Sequence, residues 1–473
     1  MKRDLSYEGV MARKNQIMIA AVGIDYSEFE EGPLSFDYEG MMRRAGYSLD
    51  EVQRIQAETG VGNTPLYELR NITNVVRQYA APGYGARILL KDEACNPSGS
   101  FKARRAAVSV YHAKRNGYKG VIAATSGNYG AAVASQAAMR GLACIVVQEV
   151  YDSNRIGQPE ILEKGRACEA YGADVIQLSV GPELFYVFLR LLEETGYFNA
   201  SLYTPFGIAG IETLGYELAG QVRQKTGRSP DVVVVTHAGG GNVTGTARGL
   251  RKAGCASTQV VGVSVDLQGL HMASDRDFNR KSFTTGHTGF GVPFTTWPDR
   301  ADVPRNAARP LRYLDRYLGV TQGEVFYVTE ALAQIEGLER GPAGNVSLAA
   351  AMSIAAELDR DQIVVVQETE YTGAGKHPMA QLTFASENGV IVKRGDPRVQ
   401  KPGESIIIPE HPEQISATEL PLDALRRSYL RNAVESLEAD ALEHSDLKYL
   451  CEETSASLEF VRQVLCELGV NTQ

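Results

Sequence analysis

Asn96-Pro97-Ser98-Gly99-Ser100-Phe101-Lys102-Ala103-Arg104-Arg105 sets one lysine just past a Pro/Gly/Ser turn, at the head of a strongly helical run predicted over residues 101–116. Proline and glycine shape the turn, so the helix begins only after them. A lysine in that first turn has its stem among apolar neighbours and its amine near a helix N-terminus, whose partial positive charge disfavours the ammonium form. Such an amine suits nucleophilic attack or a Schiff base. An isolated lysine at a helix start is far more often a solvated side chain, so the rest of the chain decides how this one reads.

Outward from the lysine, strands and helices alternate. A strand is predicted over 87–91 before the turn. After it, an apolar strand over 120–124 runs into Thr125-Ser126-Gly127-Asn128 and a small-residue helix over 129–140. A strand over 143–148, a helix over 159–171, a strand over 174–178 and a helix over 182–194 continue the series. A second series starts near residue 201, with a helix over 208–225 and the most apolar strand, 231–235, which leads into His237-Ala238-Gly239-Gly240-Gly241-Asn242 and a helix to 252. A strand over 260–265, a less regular region with a Gly/Thr-rich loop over 284–291, a strand over 325–328, helices from 330 and 347, and a strand over 363–366 follow. Uninterrupted apolar strands alternating with helices predict an α/β fold whose parallel sheet is covered on both faces. Residues 1–60 read as an arm with one helix over 49–58. Past residue 400, four prolines mark a linker before charged amphipathic helices over 422–442 and 447–468.

At 473 residues, two domains with appendages are expected. Forty-eight Lys and Arg against 57 Asp and Glu give a net charge of −9 with no long basic run, so neither nucleic acid nor an anionic membrane is expected as the main partner. Six cysteines form no Cys-x-x-Cys pair and seven histidines no metal spacing, so no disulfide framework and no metal site is expected. The apolar stretch over 17–23 is too short to span a bilayer, and no signal peptide is recognised; the expected location is cytoplasmic.

The glycine loop carries chemistry of its own. Gly239-Gly240-Gly241-Asn242 presents consecutive backbone N–H groups at a helix N-terminus, a cradle for phosphate. A rival reading takes Gly239, Gly241 and Gly245 with Asp266, at the end of the next strand, as a dinucleotide fingerprint. It leaves Lys102 and Ser126-Gly127-Asn128 without a role and ranks second.

Lys91-Asp92-Glu93, then the turn to Lys102, then Ser126-Gly127-Asn128, then the glycine loop, then Thr372-Gly373-Ala374-Gly375 occur in an order that resembles the fold-type-II enzymes using pyridoxal 5′-phosphate, such as threonine synthase, the tryptophan synthase β chain, cysteine synthase and serine/threonine ammonia-lyases. The resemblance spans 62 to about 376 and implies two open, mostly parallel sheets flanked by helices. It implies a large cofactor-binding domain from 61–95 and 201–400, a small domain from 96–200, the arm over 1–60, and a linker with C-terminal helices over 401–473. Lys102 would hold the cofactor through its amine and later move the substrate's α-proton. Asn128 would hydrogen-bond the cofactor's phenolic oxygen, Thr125, Ser126, Gly127 and Asn128 would receive the substrate, Gly239, Gly240, Gly241 and Asn242 would bind the phosphate, and Thr372 would face the pyridine nitrogen. A neutral hydroxyl there suits chemistry at the β-carbon better than transamination. Ala103 stands where threonine synthases usually carry an aspartate, and the arm and tail exceed the minimal fold. A plain threonine synthase or ammonia-lyase, acting by β- or γ-replacement or elimination on a hydroxyamino acid, is therefore the alternative.

The arm from Met1-Lys2-Arg3-Asp4-Leu5-Ser6-Tyr7, with residues 282–293 and 306–313, is similar to the β subunits of 2-amino-4-oxopentanoate thiolases. That resemblance implies a small α subunit as partner, coenzyme A and a small amino acid as substrates, homodimerisation as well, and release of acetyl-CoA and alanine in ornithine fermentation. A dinucleotide-dependent enzyme and a non-catalytic subunit that retains the cofactor are the readings from other classes. Cys95 lacks a histidine partner nearby and reads as a packed thiol, and His237 reads as structural. Arg305, Arg309, Arg312 and Arg316 recur at three- and four-residue steps; they could meet CoA phosphates, but a solvated helix face is the favoured reading.

Overall fold

Ile88 to Leu90, the four valines from 232 to 235 and Ile363 to Val366 are apolar on both faces, and in the computed structural model these runs lie side by side at the centre of one sheet. The structure describes residues 3–125, 127–268, 282–284, 305–371, 378–435, 437 and 442–470. In chain order its strands are Leu66–Glu68 (β1), Arg87–Asp92 (β2), Gly120–Thr125 (β3), Ala143–Tyr151 (β4), Asp174–Ser179 (β5), Phe198–Asn199 (β6), Val232–Thr236 (β7), Gln259–Val265 (β8), Arg316–Val320 (β9), Ile363–Glu368 (β10), Ile391–Arg394 (β11), Ser405–Ile408 (β12) and Thr418–Glu419 (β13). The central sheet has the order β1-β2-β10-β7-β8-β9-β13, parallel inside and antiparallel only at its β1 and β13 edges. A second sheet, β5-β4-β3-β6, is parallel throughout. Both are flanked by helices, as the alternating sequence pattern predicts.

Three assignments of secondary structure change. Residues 325–328 are not a strand: they lie in the helix Gln322–Glu336, opened by a Thr321/Glu324 capping box, and the neighbouring strand is β9. Val-Phe-Tyr-Val has strand-like propensity, but the box and burial of one helix face override it. The arm is largely helical, with Tyr7–Ala12, Lys14–Val22 and Tyr38–Arg44 preceding Leu49–Ala57. Its Ile17, Met18 and Ala21 join Leu184, Phe188, Leu189 and Leu192 in one apolar cluster. The last predicted helix is two, His444–Thr454 and Leu458–Glu467, broken at Ser455, whose φ is 50°.

The four arginines do not form a solvated helix face. Arg309 is 2% exposed and lies 3.4 Å from Glu453; Arg312 bonds Glu453 at 2.9 Å and Glu452 at 3.1 Å. Arg305 faces Glu30 at 3.6 Å, and Arg316 pairs with Glu419 across β9 and β13. They tie the arm and the C-terminal helices to the body. Among the described residues, no helix is long and apolar enough to cross a membrane.

Candidate active site

The turn before Lys102 is held from behind. Ser98 and Gly99 both adopt left-handed backbone, with φ of 66° and 72°, and Asn96 accepts from the amide of Gly62 while donating to Glu93. Phe101 N–H donates to the Thr369 carbonyl at 3.0 Å and Tyr371 N–H to the Gly99 carbonyl at 2.7 Å. Lys102 is the first residue of the helix Lys102–Arg115; it is half-buried, its Nζ 5.6 Å from the centre of the Phe101 ring. On the far side of the same helix, fully buried Arg104 donates to both oxygens of Glu93 at 2.7 and 2.8 Å and to Glu217 at 3.1 and 3.2 Å. Lys91 completes the group, 2.5 Å from Glu217. Burial would raise the Glu217 carboxyl, but Arg104 and Lys91 outweigh it and hold it well below the usual carboxylate range. Two cations against two carboxylates leave the cluster neutral, which a buried ionic group requires. Lys91-Asp92-Glu93 is thus an anchor for the lysine turn.

The second loop follows β3. Thr125 Oγ1 accepts from the amides of Gly127 (3.0 Å) and Gly130 (3.3 Å), which folds the chain back into the helix Asn128–Arg140. The Asn128 side chain is buried, and its Oδ1 accepts from the ammonium of Lys164, a buried residue of the helix Pro159–Ala170. Lys164 also lies 4.0 Å from the buried carboxylate of Glu370. Ser126 lies outside the described residues, as do Thr372 and Gly373-Ala374-Gly375, residues 285–291 of the Gly/Thr-rich loop, and the first two residues of the arm.

The third loop follows β7. Gly240 has φ of 81° and caps the helix Gly241–Lys252. A Cβ on Gly239 would fall 1.5 Å from the Tyr203 hydroxyl, and one on Gly241 would fall 1.9 Å from Nη2 of Arg105. Asn242 Nδ2 is buried and has no hydrogen-bond partner among the described residues. His237 is buried edge-on to Tyr317; burial lowers its imidazole to about 3, so it is neutral, consistent with a structural role. Gly245 packs on Ile211, and Asp266 Oδ1 accepts from the amide of Gln268. Gly245 and Asp266, the two residues that only the dinucleotide spacing uses, therefore serve packing and a local turn.

Contacts join the three loops. Arg105, one helical turn beyond Lys102, reaches the glycine loop. Ser100 forms an antiparallel bridge with Glu370, which neighbours Lys164, which holds Asn128. The segment ending at Tyr371 leads directly to Thr372. Sequence reasoning missed Arg105, Lys164 and Glu370. The three-residue step from Lys102 was a signal for Arg105, because such positions share a helix face; Lys164 had none. Cys95 is exposed and not the packed thiol expected, because it ends the short turn after β2; it donates to Asp92 at 3.3 Å, and partial desolvation with Asp92 pushes its thiol up, away from thiolate. The donor set fits pyridoxal phosphate: an amine for the aldehyde, and for the phosphate a helix N-terminus with unmatched buried donors at Asn242 and Arg105.

Comparison with known proteins agrees. The family model described as pyridoxal-phosphate dependent enzyme matches residues 57–369. A protein of an unknown prokaryotic organism named 2-amino-4-ketopentanoate thiolase beta subunit is 67% identical, covering 99% of this chain and 100% of its own. One of the same name from Acetoanaerobium sticklandii is 66% identical over the same shares. Among solved structures, a threonine deaminase of T.th. superposes with a TM-score of 0.52 at 26% identity, covering 68% of this chain and 98% of that one.

Proposed function

The chain belongs to the pyridoxal-phosphate-dependent enzyme family, and on that premise we propose that it is the β subunit of a 2-amino-4-oxopentanoate (2-amino-4-ketopentanoate) thiolase, an acyltransferase of ornithine degradation. The observation that carries this reading is the full-length likeness to proteins of that name, arm and C-terminal helices included. In the proposed reaction the thiol of CoA attacks the C4 ketone and the C3–C4 bond breaks. The acetyl group leaves on sulfur, C3 takes a proton, and the products are acetyl-CoA and alanine. Pyridoxal phosphate supplies delocalisation of the negative charge that develops on the substrate carbons.

The chain's residues divide the remaining work. Lys102 holds the cofactor through its amine and moves the α-proton. Gly239, Gly240, Gly241 and Asn242 bind the phosphate, and Thr372 offers its hydroxyl to the pyridine nitrogen. Because Asn128 Oδ1 accepts from Lys164, its Nδ2 is left to donate to the cofactor's phenolic oxygen. Ser126, Gly127 and Asn128 receive the substrate carboxylate; Thr125, its hydroxyl engaged by the Gly127 and Gly130 amides, contributes by shaping that turn. The site lies between a large domain (61–95 and 201–400) around the seven-stranded sheet and a small domain (96–200) around the four-stranded one. A small α subunit and a second copy of this chain complete the cytoplasmic enzyme.

The test is incubation of the purified chain with 2-amino-4-oxopentanoate and CoA, with and without the small subunit. Acetyl-CoA and alanine are expected. Threonine from phosphohomoserine, or a 2-oxo acid and ammonia from serine, in place of acetyl-CoA would assign the chain to the replacement and elimination enzymes instead. Borohydride should bleach the bound cofactor and label Lys102; covalent cofactor on a Lys102→Ala variant would refute the role given to that lysine.

A further inference from the structure

Among the described residues the other buried arginines face carboxylates, Arg104 with Glu93 and Glu217, Arg140 with Glu58 and Arg309 with Glu453, as do the less deeply buried Arg248 with Glu39 and Glu212 and Arg312 with Glu453. Arg105 does not. It is 3% exposed, its one hydrogen bond runs from Nη1 to the Leu202 carbonyl at 3.2 Å, and its Nε has no partner among the described residues. The rings of Phe101 and Tyr203 lie 5.7 and 6.0 Å from its guanidinium carbon. Burial lowers its proton affinity, and among the described residues the Tyr203 and Tyr129 hydroxyls act to restore it. A guanidinium cannot shed its charge at physiological pH, so leaving it buried without an anion is costly. Its Nη2 sits over Gly241, the first residue of a twelve-residue helix, and the next residue, Asn242, has a buried Nδ2 with no partner among the described residues.

We propose that Arg105 is a ligand of the cofactor phosphate, closing the glycine loop with a guanidinium carried on the same helix as Lys102. This rests on the reading of the site as one for pyridoxal phosphate. Three kinds of donor are brought to this loop, the helix N-terminus, the guanidinium and the Asn242 amide, and among the described residues the Leu202 carbonyl is the one acceptor the guanidinium meets. A phosphate dianion matches them better than a substrate carboxylate because successive N–H groups at a helix start suit a tetrahedral oxyanion. One helix turn, about 5 Å of rise, then separates the grip on the phosphate from the amine that takes the aldehyde. The two ends of the cofactor are thereby held by one rigid element.

Apoenzyme titrated with pyridoxal phosphate and with pyridoxal, which lacks the phosphate, tests this in the wild type and in Arg105→Met and Arg105→Lys. Arg105→Met should weaken pyridoxal phosphate by about ten- to a hundredfold, the range for a hydrogen bond to a charged group, and leave pyridoxal nearly unchanged; Arg105→Lys should fall between. In the wild-type holoenzyme the ³¹P resonance should stay dianionic and flat between about pH 5.5 and 8, where a free phosphate monoester titrates near 6. Equal losses for both ligands, an unchanged pyridoxal phosphate affinity, or a ³¹P shift that titrates like the free cofactor would overturn the proposal, the last without any variant having to fold. A wild type that bound neither ligand would overturn the underlying cofactor reading as well, so the two failures are distinguishable.

Discussion

Replacing Gly215 by alanine should damage the enzyme, whereas the same change five residues further along the same helix should strengthen it. The helix Pro205–Thr226 crosses both the Lys102–Arg115 helix and the Gly241–Lys252 helix, so it sets the distance between the lysine and the glycine loop. A Cβ on Gly215 would lie 2.0 Å from the Thr246 carbonyl oxygen and 2.9 Å from the Leu250 nitrogen, both backbone atoms that no rotamer change can remove. Weak C–H···O contacts begin near 3.3 Å, so the two helices must separate by about 1 Å. Overpacking of this kind costs about 1–3 kcal/mol and more where backbone must shift; the gain in helix propensity, about 1 kcal/mol, offsets only part of it. Gly220 is exposed with nothing within 4 Å of a Cβ, so Gly220→Ala should gain about 0.5–1 kcal/mol. Urea midpoints followed by circular dichroism should therefore move in opposite directions, and only Gly215→Ala should weaken pyridoxal phosphate binding. A Gly215→Ala protein as stable as Gly220→Ala, with unimpaired cofactor binding, would refute the claim that this crossing sets the geometry of the site.

Burial raises the Glu368 carboxyl well above its usual value, with Asp92 and Glu370 adding to the effect. The folded protein then keeps a proton that the unfolded chain loses above about pH 4.5, so stability from this group is full below that pH and falls as pH rises. Glu368→Gln should be the more stable protein at pH 8, with the gap closing toward pH 4.5 in urea melts; a gap that widened in acid would contradict this. Cys95→Ala should keep activity within about a factor of two, as a substitution outside the buried machinery does, and loss of acetyl-CoA formation would make the thiol a candidate acyl acceptor. Lys164→Met should leave Lys102 labelled by borohydride yet lower kcat by about tenfold or more, because the Asn128 amide loses the charged donor that orients it; an unchanged kcat and cofactor spectrum would remove Lys164 from the site.

The fold was legible because strands such as Val232–Thr236 and Ile363–Glu368 are apolar on both faces and end in glycine-bearing turns. That combination occurs in buried parallel sheets and in few other places. The strand over 325–328 was misread because local propensity resembled a strand while the deciding signal, the Thr321/Glu324 box, lay just upstream. The arginines from 305 to 316 were misread for a different reason: the carboxylates that take them up come from residues 30, 419, 452 and 453, and no local pattern carries partners so distant in sequence. Lys164 was invisible on the same ground. Arg105 was half visible, since its step from Lys102 was readable but the absence of a carboxylate around it was not.

Charge distribution explains why bulk composition said so little about the site. The chain carries a net −9, yet its reading calls for an anionic cofactor, an amino-acid carboxylate and the phosphates of CoA. The resolution lies in which cations are neutralised. Lys91 and Arg104 are matched by Glu93 and Glu217 behind the lysine turn, and Arg340 by Asp92 beneath it. At the glycine loop, by contrast, buried Arg105 faces no carboxylate among the described residues. A guanidinium left without a carboxylate in an acidic protein gives an anion one place to bind while the surrounding negative charge disfavours adsorption elsewhere. The acids bonded to Arg104 therefore do more than anchor a helix: by neutralising that arginine they leave Arg105, its neighbour in sequence, as the guanidinium of the pair that lacks a carboxylate among the described residues.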